Sequence, residues 1–279
     1  MRVDAHHHFW QQGRFDCSWM MKPQLKVLQQ DYGPAELEPI LVRHRLDRTI
    51  LVQTIHSLPE TRWFLELARA HRFIGGVVGW ADLTQPDLPS LLDELQSDPG
   101  LVGIRHVVHD EPDVNWLLRA DVQRGLAELE RRRLPYDLLL RPQHLAPALD
   151  VARKFPGLPL VVDHIAKPRI ADRGWDDWAP GLEALASCPN VWCKLSGMVT
   201  EADWHRWRPG DLRPYVLHTV ELFGLDRVMY GSDWPVCLLA APYDQMIGAL
   251  EECLSSMSDC DRAKVFGNNA ARFYHLAKD

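Results

Sequence analysis

Asp4-Ala5-His6-His7-His8, preceded by Val3 and followed by Phe9-Trp10, opens the chain, and its reading decides the fold. Side chains alternate across a β-strand, so Asp4, His6 and His8 are expected on one face and His7 on the other. Two imidazoles side by side at a strand end are suited to holding a metal ion or polarising an oxygen. A remnant of a purification tag would be longer and would lie outside the fold. These histidines instead sit within a strand-like apolar segment. Their counterpart near the other end is Gly231-Ser232-Asp233-Trp234-Pro235. Together the two stretches suggest a hydrolytic site inside a β/α barrel.

Outward from that first strand, short apolar runs recur at 3–6, 49–53, 74–80, 101–106, 136–140, 160–164, 191–195 and 228–232. Amphipathic stretches with helical spacing lie between them, as at 59–71, 89–97, 121–132 and 214–223. This alternation predicts an α/β protein, a (β/α)8 TIM-type barrel with long loops at its C-terminal face. No linker-like tract, low-complexity run or internal repeat divides the sequence, so one domain is expected over 1–279. Two irregular stretches, 11–39 and 168–180 with Trp175 and Trp178, follow the first and sixth strands. They are expected to wall or cover a pocket, unless their tryptophans only seal the barrel mouth.

A chain of 279 residues with 46% hydrophobic and 25% charged residues has the composition of an ordinary globular protein. With 38 acidic against 31 basic residues its formal charge is -7, which argues against a nucleic-acid partner. No apolar run reaches the roughly 18 residues of a membrane span. The start does not read as a signal peptide, and a cytoplasmic location with no membrane partner is the expectation. The six cysteines form no Cys-x-x-Cys pair. Cys193 and Cys237 read as small packing residues.

The polar residues fall in a pattern. His6 and His8 end strand one, Arg105 and His106 strand four, His164 strand six, Lys194 strand seven and Asp233 strand eight, while Arg141 follows strand five. Buried charges are costly unless paired or used, so their recurrence at one end of a barrel marks a common functional face. Each alone has a structural explanation; the set carries the argument. Strand parity favours Arg105 inward and leaves His106 and His109 undecided. Parity also turns Asp163 away, and Asp4 is expected deeper in the barrel.

The stretches Val3 to Trp10, Val162-Asp163-His164-Ile165-Ala166-Lys167-Pro168, Cys193-Lys194-Leu195-Ser196-Gly197 and Tyr230 to Cys237 resemble, in order, the motifs of the amidohydrolase superfamily (amidohydrolase 2 type). Gly103-Ile104-Arg105-His106, Asp110-Glu111-Pro112, Thr200 to Trp204 and Gly267 to Arg272 are similar to its branch of sugar-lactone hydrolases, and the likeness spans nearly the whole chain. The resemblance implies that His6, His8 and His164 gather around the reacting oxygen with Asp233 beside the attacking water. The same four residues would ligate at most one divalent metal, with zinc the expected ion and activity not dependent on it. A second metal is not expected, because the motif holding Lys194 has no further histidine.

The implied reaction is hydrolysis of a sugar-acid lactone, L-fuconolactone or a related aldonolactone, to the aldonic acid. Asp233 would be the general base, and the histidines or a metal would polarise the carbonyl. Arg105 suits ring hydroxyls or the product carboxylate, and Trp19 or Trp234 the apolar face of the sugar. His106, Arg141 and Lys194 complete the expected substrate contacts; Lys194 would orient water or substrate, hold Asp233 ionised, or form a structural ion pair. The alternatives are a zinc-dependent decarboxylase of the same superfamily and a barrel that only binds a sugar. Which lactone is used and the oligomeric state are not legible.

Overall fold

A computed structural model describes residues 1–277; the last two positions of the expected domain lie outside them. Eight parallel strands form one sheet in chain order: β1 Val3–His7, β2 Arg48–Val52, β3 Ile74–Gly79, β4 Leu101–His106, β5 Tyr136–Leu138, β6 Leu160–Val162, β7 Val191–Leu195 and β8 Val228–Tyr230. Helices such as Leu58–Ala70, Ala120–Arg132 and Tyr243–Cys253 alternate with them, which makes the fold a (β/α)8 TIM barrel. Val3, Ala5, Ile50, Val52, Val161 and Met229 pack with Phe273 and Tyr274 from the end of the chain into one apolar cluster that fills the barrel's lower half. A larger cluster joins the sheet to its helices. Among the described residues no helix is long and apolar enough to cross a membrane. All six cysteines are free, with Cys193 and Cys237 buried.

The barrel closes where β1 meets the segment after β8. His8 N–H donates to the Trp234 carbonyl at 2.7 Å, and Asp233 N–H donates to the His6 carbonyl at 2.8 Å. The buried Asp4 carboxylate ties the seam from outside: it accepts from Ser232 N–H at 2.8 Å, from His6 N–H at 3.2 Å and from the Tyr243 hydroxyl at 2.9 Å. Gly231 is required at this crossing, because a Cβ there would stand 2.7 Å from His6 Cβ.

Asp4 therefore does not share a face with His6 and His8, and it does not lie deeper inside the barrel. Asp4 pairs with Thr49 but His7 with Leu51, so β1 carries one extra residue, and a bulge of this kind resets the alternation. His7 faces outward as expected, its Nε2 2.8 Å from Thr49 Oγ1. Strands β5, β6 and β8 stop two residues before their expected ends. Beyond β6 the cause is a run of left-handed residues, His164, Ile165, Ala166 and Lys167, with φ of 55°, 48°, 61° and 51°.

Asp4→Ala removes the shared acceptor of two amides and a hydroxyl at the seam. A loss of roughly 2–4 kcal/mol in urea denaturation is expected. A change below about 0.5 kcal/mol, the size of an ordinary surface substitution, would show that Asp4 does not hold the seam.

Candidate active site

His8, His164 and Asp233 meet at the floor of a cavity of about 530 Å³ at the C-terminal ends of the strands, with His6 buried just below. Asp233 Oδ1 lies 3.3 Å from His8 Nε2, 3.8 Å from His164 Nε2 and 3.9 Å from His6 Nε2. His6 Nε2 and His8 Nε2 are 3.2 Å apart. The far side of two rings is fixed: His8 Nδ1 donates to the Val52 carbonyl at 2.7 Å, and His164 Nδ1 meets Ser196 Oγ at 2.8 Å. Their Nε2 atoms are thereby left to face the cluster. Burial holds His8 and His164 below the ordinary histidine range. Burial alone would raise the Asp233 carboxyl, but the imidazoles of His164 and His8 outweigh it and keep it below the usual value.

His164 reaches this point because of the left-handed run. A left-handed backbone costs roughly 1–2 kcal/mol at each non-glycine residue. Here Trp178 Nε1 donates to the Ile165 carbonyl at 2.6 Å, Lys167 N–H closes on the His164 carbonyl at 2.8 Å, and Ile165 and Ala166 are fully buried. Asp163 keeps the inward parity of Val161, against the expectation that it would turn away, and the left-handed turn that follows brings His164 inward beside it. The stretch holding Trp175 and Trp178 thus props this turn rather than walling the cavity; Trp175 packs on Trp178 and Tyr215.

Beneath the floor lies a closed charge network. Asp163 is 3.0 Å from Arg105 Nη1, 3.0 Å from Lys194 Nζ and 3.3 Å from His6 Nδ1. Lys194 Nζ also contacts Asp137 at 2.5 Å and His6 Nδ1 at 3.2 Å, and the Tyr274 hydroxyl donates to Asp137 at 2.9 Å. Burial alone would raise the Asp163 carboxyl; the Lys194 ammonium beside it reverses the shift and holds it well below the usual range. Two cations and two carboxylates balance, as buried charges must.

Of the ten expected residues, the cavity is lined by five, Asp233, His8, His164, Arg105 and Trp19; His6 lies just below its floor and four others lie away from it. Arg105 points inward and lines it, as do Trp19 and His109. Lys194 is wholly buried below the floor and pairs with Asp137 and Asp163, so it contacts neither Asp233 nor the cavity. Trp234 packs on Phe9 and Tyr32 at the seam. Arg141 is exposed, because β5 ends early and the chain turns out through Pro142–His144. His106 lies behind the wall, stacked on Trp116 at 4.0 Å. Asp137 and Glu60 were not anticipated. Asp137 could have been found as the one charge inside an apolar strand, and Glu60 as the acid three residues after the helix cap Ser57. Glu60 accepts from Thr54 N–H at 2.9 Å and Ile55 N–H at 3.3 Å, which fixes the loop that walls the cavity.

A family model described as amidohydrolase matches residues 3–276. The chain belongs to the amidohydrolase family. It is similar to the L-fucono-1,5-lactonase of Burkholderia ambifaria, 39% identical over 282 residues that cover 99% of this chain and 96% of that protein. The L-fucono-1,5-lactonase of Burkholderia multivorans is 39% identical over 287 residues, with coverage of 99% and 96%. Among solved structures, an amidohydrolase from Burkholderia multivorans with bound zinc superimposes with a TM-score of 0.94 at 38% identity, covering 99% of this chain and all of that one.

The donors of this amidohydrolase fit a metal ion. Nitrogen atoms of His6 and His8 and an oxygen of Asp233 lie within 4.8 Å of one another, and His164 completes a nitrogen-rich set with the character zinc favours. One group competes for the same place: Arg105 Nη1 is 3.2 Å from His6 Nε2.

Burial lowers the His106 pKa from 6.5 to about 4. A histidine depressed in the folded state contributes stability that is present above its unfolded pKa and is lost as pH falls through the folded value. Wild-type protein is therefore expected to lose stability relative to His106→Phe as pH drops from 6.5 to 4, read by urea denaturation at several pH values. A difference that stays constant across that window would contradict a neutral buried ring.

Proposed function

We propose that this amidohydrolase opens a sugar-acid lactone, L-fuconolactone or a related aldonolactone, by adding water to give the aldonic acid. The observation that carries the reading is the convergence of Asp233 with the free nitrogens of His8 and His164 on the floor of a sugar-sized cavity. The similarity to the two L-fucono-1,5-lactonases over nearly the full chain supports the substrate class.

Lactone hydrolysis needs a base for water, positive charge where the carbonyl oxygen gains electrons, and a proton for the departing ring oxygen. Asp233, ionised and held among imidazoles, takes the proton from water as the water oxygen bonds to the carbonyl carbon. The ring carbon–oxygen bond then breaks, and Asp233 returns the proton to the alkoxide. Arg105 places its guanidinium beside His6, with Asp163 fixing its direction from below. Such a held cation is worth more in a buried site than in water. Trp19 offers an indole face for the apolar side of the ring. His6, His8, His164 and Asp233 are the residues that would hold a zinc ion, which when bound supplies a Lewis acid.

Asp233→Asn keeps the shape of the side chain but cannot accept a proton at neutral pH. Turnover of an aldonolactone, followed by acid release, is expected to fall on the order of a hundredfold or more with unchanged circular dichroism. Near-normal turnover would remove Asp233 from the role of base.

Metal dependence is separable from this. A lactone carbonyl is electrophilic, and Arg105 already brings positive charge to His6 Nε2. Protein stripped by chelation, with removal verified by metal analysis, is expected to keep substantial lactonase activity. Activity that vanishes with the metal and returns on adding zinc would show that the ion is obligatory.

A further inference from the structure

The cavity wall carries a second ordered polar group, made from the loops after β2, β3 and β4. His106 is stacked between Trp116 at 4.0 Å and His56 at 3.8 Å, with ring planes within 11° and 21°. The proton positions follow from the donors around the rings. An indole N–H and a backbone N–H can only donate. Trp80 Nε1 lies 3.2 Å from His106 Nδ1, so Nδ1 accepts and the neutral ring carries its proton on Nε2. That Nε2–H donates to Glu111 Oε1 at 2.6 Å. Val107 N–H donates to His56 Nε2 at 3.0 Å, so the His56 proton sits on Nδ1. Both His106 nitrogens are committed, which removes the ring as a metal ligand even though His56, His106 and Glu111 offer ligand atoms within 4.8 Å of one another.

What remains for a ligand is one acceptor and one donor. Glu111 and His56 both line the cavity, whereas His106 does not. A carboxylate has about four lone-pair sites, and His106 occupies one. Building on the sugar-lactone reading above, we propose that Glu111 and His56 form a subsite for two hydroxyl groups of the substrate distant from its carbonyl. Glu111 accepts from one hydroxyl and His56 Nδ1–H donates to the other. His106 is a positioning residue, held in one tautomer by Trp80 and holding the Glu111 carboxylate in turn. An apolar wall would bind a lactone without its hydroxyls equally well, whereas the half-buried Glu111 carboxylate and the exposed His56 ring favour the hydroxylated ligand through the hydrogen bonds they form with it.

Isothermal titration of the intact protein with a panel of aldonic acids, and with analogues lacking the two hydroxyls farthest from the carboxyl, reads the subsite without turnover. Glu111→Gln and His56→Phe, which keeps the ring stack, are expected to weaken the best aldonic acid about threefold to thirtyfold and to leave its deoxy analogue unchanged. His106→Phe is expected to reduce the same preference. Equal weakening of both ligands, no weakening of either, or wild-type protein with no preference for the hydroxylated acid overturns the subsite. A preference abolished by these variants in a protein that opens no lactone would sink the proposed reaction and leave the subsite standing.

Discussion

The closure of β1 on the segment after β8 is the constraint on which the site depends. Residues more than 220 positions apart meet there, with the Asp4 carboxylate joining the amides of His6 and Ser232. The same backbone bonds that close the sheet set Asp233 N–H on the His6 carbonyl and His8 N–H on the Trp234 carbonyl. Asp233 and the two histidines are therefore neighbours by construction: the cluster is as rigid as the seam. Asp233 itself holds φ at 57°, a left-handed conformation that a well-tied backbone can sustain in a non-glycine residue.

A second constraint is electrostatic. Arg105, Lys194, Asp137 and Asp163 are buried in one network, and Tyr274 from the end of the chain supplies a hydroxyl to it. Desolvating an ion costs several kcal/mol even after relaxation, and only close opposite charges and hydrogen bonds offset that. The network answers this by alternation along Arg105, Asp163, Lys194 and Asp137, with successive contacts of 2.5 to 3.0 Å. Its consequence for the site is directional. Asp163 and Lys194 pin the underside of His6 while Arg105 is held toward the cavity, so the cluster of histidines and Asp233 rests on a rigid base.

The barrel is thus divided along its axis. Toward one end Val3, Ala5, Ile50, Val52, Val161 and Met229 form an apolar fill that stabilises the fold, and toward the other the ion network, the histidine cluster and the cavity follow in order. Loops complete the upper part: Glu60 ties the loop after β2, and Trp178 props the left-handed turn after β6. Catalytic groups on strand ends and recognition groups on loops is the division of labour that lets one barrel serve many substrates.

The sequence by itself determined the barrel, because eight apolar runs alternating with amphipathic helices admit few other arrangements, and it marked His6, His8, His164, Arg105 and Asp233 through polar residues at strand ends. Family motifs across the chain narrowed the chemistry further. What it misplaced were residues whose direction depends on backbone irregularity. A one-residue bulge in β1 turned Asp4 to the helix side, and a four-residue left-handed turn brought His164 inward beside Asp163, so that two consecutive residues face the barrel interior. Period-two alternation cannot register either event, since both are set by hydrogen bonds to distant segments. Lys194 is visible in the sequence as a charge on an apolar strand, but its pairing with Asp137 is not, because pairing across the barrel is a property of the closed sheet. The roles of Trp234, Arg141 and His106 likewise turned on which side of a wall each side chain falls, and only tertiary packing decides that.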